Sequence, residues 1–528
     1  MGKYINRGND DFKRILNSEY VDKTGLIAIV NGTLFTERSY SCVTRCRRFG
    51  KSMAAKMLAA YYDCSCDSRS LFAGLAIEQD ASFEEHLNKY PVIYLDMTDF
   101  ITRYKDDGDI VKIIDAAVQA DVAAAFPEVP RQADDDLMEL LLRIVLGGGQ
   151  PFILIADEWD AILRECKNSK VTDDYVNWLR RMFKSVNGGT AFAGVYMTGI
   201  LPIKKYRTQS ALNNFLEYSM VEPIDMAPYF GFTKDEVRHL AVRHSMDFDE
   251  LVAWYDGYQI GDEPSVFNPN SVMMAIKSRR CRSYWSATSS FTNVADYIDM
   301  NFEGLRDDVI SMLAGRRCTV DPTGFQNDLS EIHSRDDVLT VLIHLGYLSY
   351  NWREDECYIP NREVAGEMVN AVKANRWQYV AEALQQSRQL LQSTIDGDEE
   401  AVVRALEDVH SSDTSILSYN NENSLACVIS IAYYYARNYY HVHREYATGK
   451  GFADLVMLPR KNVSKPALVI ELKKGQPAQT GIDQIKERHY PQKVAEYTGD
   501  ILLVAISYDV ETKQHTCHIE RWEKAEPA

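Results

Sequence analysis

Ser41-Cys42-Val43-Thr44-Arg45-Cys46-Arg47-Arg48-Phe49-Gly50-Lys51-Ser52 is the stretch that decides the fold of the N-terminal part. Four strand-forming residues run into a basic loop, and an Ala- and Met-rich helical segment, Met53 to Tyr62, follows. Strand, loop and helix thus come in the order of a phosphate-binding loop. Backbone N–H groups at the start of a helix cradle phosphate, a lysine there reaches the β- and γ-phosphates, and the next hydroxyl ligates Mg²⁺. Lys51 and Ser52 are the candidates, with Arg45 standing where the usual pattern has its first glycine.

A Gly-Lys-Ser triplet alone is weak evidence, so the partner motif matters. Pro151-Phe152-Ile153-Leu154-Ile155-Ala156-Asp157-Glu158 is an apolar run ending in two acids, the form of a Walker B strand. Asp157 is expected to hold Mg²⁺ and Glu158 to polarise the attacking water. A further strand ends at Thr198-Gly199, where Thr198 is either a sensor of the γ-phosphate or a strand end with no further role. Strand-like runs at 41–44, 92–95, 152–155 and 192–198 alternate with helical patterns and predict a parallel sheet covered by helices.

A chain of 528 residues is too long for one ordinary core, and 46% hydrophobic with 25% charged residues is the balance of a folded soluble protein. No stretch reaches the length needed to span a bilayer, and the N-terminus carries no apolar leader, so a cytoplasmic chain without a membrane partner is expected. Ten cysteines without framework spacing suit reduced thiols, and Cys42, Cys46, Cys64 and Cys66 are expected to be packed rather than to bind zinc. A net charge of −18 excludes non-specific coating of DNA and requires any nucleic-acid contact to come from a focused patch. Lys450, Lys473, Lys474, Lys486 and Arg488 are the residues available for one.

The C-terminal part holds a second constellation. Gly451 to Leu458 and Ala467 to Lys473 read as a hairpin joined by a polar turn. Alternation along the second strand places Glu471 and Lys473 on one side, emerging, and Leu468, Ile470 and Leu472 on the other, packed. With Asp454 from the neighbouring strand, two carboxylates offer hard oxygen ligands to Mg²⁺ or Mn²⁺, and Lys473 orients or helps deprotonate a water for phosphodiester hydrolysis.

Taken together, Tyr20-Val21-Asp22-Lys23-Thr24, Thr44 to Ser52, Asp157-Glu158, Thr198-Gly199-Ile200-Leu201, Leu212-Asn213-Asn214, Trp254-Tyr255-Asp256-Gly257-Tyr258 and Phe267-Asn268-Pro269 resemble, in order, the bacterial AAA-ATPase-like proteins fused to a PD-(D/E)XK nuclease domain. Cys46 and Trp159 stand where Pro and Tyr are more usual. The resemblance implies an α/β chain: a P-loop NTPase domain over 1–231 and a helical lid over 232–325. The residues themselves read as a winged-helix-like unit over 326–375, where a helix feeds a small hairpin, and a helical connector over 376–410, and a restriction-endonuclease-like domain over 411–528 completes the chain. The resemblance implies ATP bound by Arg45, Arg47, Arg48, Phe49, Gly50, Lys51, Ser52, Asp157 and Thr198, with Glu158 catalytic. It implies metal held by Ser52 and Asp157 at one site and by Asp454, Glu471 and Glu422 at the other, with Lys473 and Gln484 completing the nuclease centre. Glu422 otherwise reads as an acid near a helix N-terminus, and Gln484 as part of a solvated face. The expected function is an ATP-regulated nuclease acting on nucleic acid, DNA foremost, with the winged-helix-like unit helping to hold it. A nucleotide-dependent switch that binds without cutting is the alternative, and assembly into a homo-oligomer is left open.

Overall fold

A computed structural model describes residues 2–104, 108–130, 135–166, 168–184, 188–203, 212–285, 292–300, 302–325, 332–374, 378–411, 422–447, 452–460, 463–488, 494 and 499–522. The chain divides into two compact units, Met1–Ser290 with Thr319–Ala365, and Phe291–Cys318 with Gly366–Ala528.

The first unit is built on five strands: β1 (Tyr40–Thr44), β2 (Val92–Asp96), β3 (Phe152–Asp157), β4 (Phe192–Gly199) and β5 (Leu216–Tyr218). Their order is β2-β3-β4-β1-β5, and every pairing is parallel. A parallel sheet must be buried on both faces, which is why these strands read as near-continuous apolar runs. Cys42, Leu95 and Leu154 belong to the core on one face, and Val43, Tyr94 and Ile155 to the core on the other. Because β1 lies between β4 and β5, the loop after it sits where the strand order reverses, the place where open α/β sheets leave a crevice. Helix α1 (Lys51–Tyr62) follows that loop directly, and the short helix α2 (Ala161–Glu165) follows β3.

Tyr258 of the middle region supports the loop from behind. Tyr258 is buried, its ring meets Phe49 edge-on at 5.2 Å, and its hydroxyl donates to the Gly346 carbonyl at 2.8 Å. Gly346 has φ 85°, and a Cβ there would lie 2.6 Å from that of Cys46. Gly257 has φ 107°, and a Cβ there would lie 1.9 Å from the Pro360 carbonyl oxygen, so only glycine fits the Asp256-Gly257-Tyr258 turn.

Helix α3 (Arg335–Leu345) and the antiparallel strands Ser349–Asn351 and Glu356–Tyr358 appear where a helix and hairpin were expected. Yet Val338 to His344 are all buried, and the first turn carries Asp336 and Asp337. A helix buried all round, with acids only at its start, is a core element.

The second unit carries another five-stranded sheet: β6 (Tyr440–Ala447), β7 (Phe452–Pro459), β8 (Ala467–Lys474), β9 (Ile501–Tyr508) and β10 (His515–Trp522), in that order. All pairings are antiparallel except β8 with β9, which is parallel. Helix α4 (Glu422–Ala432) packs on β8, and α5 (Ala478–Glu487) packs on β8 and β9. Among the described residues no helix is long and apolar enough to cross a membrane.

His344 offers a test of the first unit's core. Its ring is 3% exposed, and burial first, then the nearby Arg45 charge, push its pKa down from 6.5 to about 3. The unfolded chain therefore takes up this proton first as pH falls. Stability is intact above 6.5 and is lost between 6.5 and about 3, at up to about 1.4 kcal/mol per pH unit. Urea unfolding at pH 7.5 and pH 5 should show His344→Phe losing less stability on acidification than the parent chain. Equal losses refute this account.

Candidate functional site

The loop from Arg45 to Gly50 is shaped by its own residues. Gly50, at φ 92°, caps α1 in the left-handed region, and Arg48 has φ 69°. The Arg45 side chain, expected among the nucleotide contacts, is instead fully buried. Its Nη1 donates to the carbonyls of Thr44, Tyr218 and Ser219 at 2.9, 2.7 and 2.9 Å, and the guanidinium lies 5.3 Å from the Phe230 ring centre. A long cation at this position satisfies strand-end carbonyls that a glycine would leave to water, so Arg45 ties the loop's base to the end of β5. Phe49 likewise turns its ring into the core against Tyr258.

Lys51 is 4% exposed; its ammonium donates to the carbonyls of Arg45 and Cys46 at 3.0 and 3.2 Å and lies 3.5 Å from Glu158 Oε1. Asp157 is buried at the end of β3 and accepts from the hydroxyls of Thr198 at 2.5 Å and Tyr94 at 3.2 Å. The Thr198 hydroxyl is thus committed to Asp157. Asp96 pairs in register with Asp157, and burial together with that neighbouring charge raises its carboxyl pKa.

A cleft of about 760 Å³ opens beside the loop. Arg47, Arg48, Phe49, Gly50, Lys51 and Ser52 border it with Glu158, while Arg45, Asp157 and Thr198 do not. Its apolar lining includes Tyr20, Met57, Tyr229, Phe232 and Met273. Polar groups converging at one end of a mainly apolar cleft are the usual form of a small-molecule site. Arg164, Tyr94 and Asp96 were not foreseen. The four-residue spacing of Asp160 and Arg164 was the one available signal for the first of them.

In the second unit the pairing of β7 with β8 runs from Met457 opposite Leu468 to Leu455 opposite Ile470. One residue further on, the Asp454 carboxylate takes the Leu472 N–H at 2.8 Å. Here the side chain replaces a ladder bond, and the two acids stand at the same level of the sheet. Glu471 Oε1 accepts from Lys473 Nζ at 2.9 Å and from the Gln484 amide. Glu471 Oε2 is buried with no hydrogen-bond partner among the described residues. Asp454, Glu471, Lys473 and Gln484 are therefore brought together. Glu422 begins α4 as expected, but its side chain and Tyr490 lie outside the described residues.

One expectation is corrected. Glu471 and Lys473 do not emerge; they are 3% and 8% exposed, because α5 covers their face of β8. Gly481 allows that approach, since a Cβ there would lie 2.8 Å from the Ala505 Cβ and 3.7 Å from the Glu471 Cβ. Burial, then the charge of Asp454, raise the Glu471 pKa to about 7, against the lowering pull of Lys473. Asp454 and Gln484 stay half-buried. Of the basic residues named for a patch, Lys486 pairs with Glu520, the Arg488 charge acts on Glu471, and Lys450 lies outside the described residues. Among the described residues no group of three or more His, Cys, Asp or Glu side chains is placed to hold a metal, so the donor set seen here is Asp454 with Glu471.

Residues 7–208 match the family described as a predicted AAA-ATPase, and residues 420–518 match the PD-(D/E)XK nuclease superfamily. The chain carries an AAA-ATPase-like domain and a PD-(D/E)XK domain. Its fold is mixed α/β, with a parallel sheet largely within the AAA-ATPase-like match and a C-terminal sheet domain over the nuclease-superfamily match. Among solved structures, a Walker-type ATPase of Pyrococcus abyssi is 12% identical, with 66% of this chain and 94% of that chain covered and a TM-score of 0.33. The ORC2 protein of Aeropyrum pernix, in ADPNP–ADP complexes, is 10% identical, with 68% and 98% covered and a TM-score of 0.34. The ORC1 protein of Aeropyrum pernix in complex with DNA is 14% identical, with 71% and 98% covered and a TM-score of 0.25. No curated protein matches the chain.

The cleft generates a direct expectation. Lys51→Ala removes the ammonium that borders the cleft and leaves Glu158 its Arg164 partner, so it should weaken ATP binding by about 10- to 100-fold or more while the fold is retained at a somewhat lowered melting temperature. Calorimetric titration reads the loss and a thermal melt the control, and unchanged affinity counts against the assignment.

Proposed function

We propose that this chain is an ATP-binding, ATP-regulated, metal-dependent nuclease that hydrolyses phosphodiester bonds of nucleic acid, DNA foremost. On this reading 1–231 binds nucleotide beneath a helical lid over 232–325, the winged-helix-like unit over 326–375 helps hold DNA, 376–410 connects, and 411–528 cuts. The observation that carries it is Glu471, whose carboxylate is held between Lys473 and Gln484 beside Asp454, with Oε2 buried and left without a hydrogen-bond partner among the described residues. An unsatisfied buried carboxylate oxygen costs about 1–3 kcal/mol or more, and a hard cation is the partner that two neighbouring carboxylates suit. Asp454 and Glu471 would hold Mg²⁺ or Mn²⁺, with Glu422 as the third acid. Such a cation, when bound, activates water and offsets charge on the phosphate oxygens. Lys473, fixed by its bond to Glu471, orients that water and shares its proton, and Gln484 fixes the carboxylate's rotation.

At the other site Lys51, Ser52 and the loop N–H groups take the phosphates, Asp157 and Ser52 hold the accompanying Mg²⁺, and Glu158 aligns water for attack on the γ-phosphate. The alternative, a nucleotide-dependent switch whose nuclease-like domain binds without cutting, draws support from the near-complete burial of Glu471 and Lys473.

The deciding experiment incubates purified full-length chain with supercoiled plasmid or single-stranded DNA, in Mg²⁺ or Mn²⁺, with and without ATP. Cleavage should require the metal, respond to ATP, and fall by about 100-fold or more in Glu471→Ala, Asp454→Ala and Lys473→Ala. Indistinguishable cutting by Glu471→Ala and the parent sinks the nuclease reading. DNA binding with no cutting by either supports the switch.

A further inference from the structure

Glu158 leaves β3 in the left-handed region, at φ 52°, which turns its carboxylate toward the phosphate loop. Its two oxygens have different partners. Oε1 faces the Lys51 ammonium at 3.5 Å, and Oε2 accepts from Arg164 Nη2 at 2.6 Å. The two cations are held in different ways.

Arg164 is fixed. Its Nε donates to Asp160 Oδ2 at 2.9 Å, one helical turn earlier, and that same oxygen accepts the N–H groups of Ile200 and Leu201 at 3.1 and 2.9 Å. Asp160 is 1% exposed. Through it, Arg164 is anchored to the chain that leaves β4. Lys51, by contrast, rests on carbonyls of its own loop, partners that it surrenders when a phosphate offers charge-assisted bonds.

We infer that Arg164 is a positioning residue for ATP hydrolysis: it holds Oε2 of Glu158 against Asp160, so that once the phosphates take Lys51, Oε1 is the oxygen left directed into the cleft to align the attacking water. Before nucleotide arrives both oxygens face cations. Loading the cleft therefore fills the site and uncovers its base in one event. In the step itself the water oxygen bonds to the γ-phosphorus, its proton passes to Oε1, and the bond from phosphorus to the leaving ADP oxygen breaks. Arg164 borders the cleft, yet its bonds to Glu158 and Asp160 leave its role one of orientation.

This inference rests on the ATPase part of the proposed function, and its test separates the two. Arg164→Ala, Arg164→Lys, Glu158→Gln and the double variant Glu158→Gln/Arg164→Ala are compared in the full-length chain, for ATP turnover and for ATP affinity by titration. Arg164→Ala should lower kcat by up to about 100-fold with KM and ATP affinity within about threefold of the parent, since it misplaces a base without touching a phosphate contact. Arg164→Lys should recover part of the loss, and the double variant should be no slower than Glu158→Gln, because the two residues act as one unit. An unchanged kcat in Arg164→Ala, a loss confined to KM, or a double variant slower than Glu158→Gln by the full Arg164 effect overturns the inference. Should Arg164→Ala fail to fold, the Arg164→Lys and Arg164→Gln variants carry the same kcat-against-KM comparison. A parent chain that binds ATP without turnover, or a Glu158→Gln variant as fast as the parent, overturns the ATPase reading itself.

Discussion

Ionised side chains buried at the ends of central strands must find partners within reach, because an isolated buried charge costs several kcal/mol. Both units of this protein are organised around that constraint. At the exit of β1 and β3, Lys51, Glu158, Arg164 and Asp160 neutralise one another in a single network. On β8, Glu471 is met by Lys473 and Gln484. In each case the balance is incomplete: Lys51 falls back on loop carbonyls, and one oxygen of Glu471 has no partner among the described residues. On the proposed reading, those deficits are where phosphate and metal enter.

Close packing at glycine makes these arrangements tight. Gly481 lets α5 settle onto Glu471, raising its pKa through burial. Gly346 receives the Cys46 side chain at the rear of the phosphate loop, and Gly257 shapes the turn that presents Tyr258 to Phe49. The Trp-Tyr-Asp-Gly-Tyr motif is thus a brace for the nucleotide loop. Its Tyr258 packs on Phe49 at the loop's far side, so a change of loop conformation is felt there first.

Much of this architecture was legible in one dimension. Apolar runs ending in acids mark β3, and an alternating strand ending in Glu471 and Lys473 marks β8, because strand periodicity and strand-end chemistry are local properties. The constellation of Asp454, Glu471, Lys473 and Gln484 could be named residue by residue. Less legible was which side chains would turn inward. Arg45 looked like a phosphate ligand and is a structural cation; Glu471 and Lys473 looked solvent-facing and are covered.

What the sequence determined alone was therefore the order of the elements and the chemical identity of the groups at strand ends, since both follow from short-range patterning. Only the tertiary structure decided which of those groups share a partner. Whether Arg45 meets a phosphate or the carbonyls at the end of β5, and whether Arg164 reaches Glu158, depends on segments brought together by sheet pairing and helix packing. Burial and charge pairing are properties of such neighbourhoods, and no local stretch of chain encodes them.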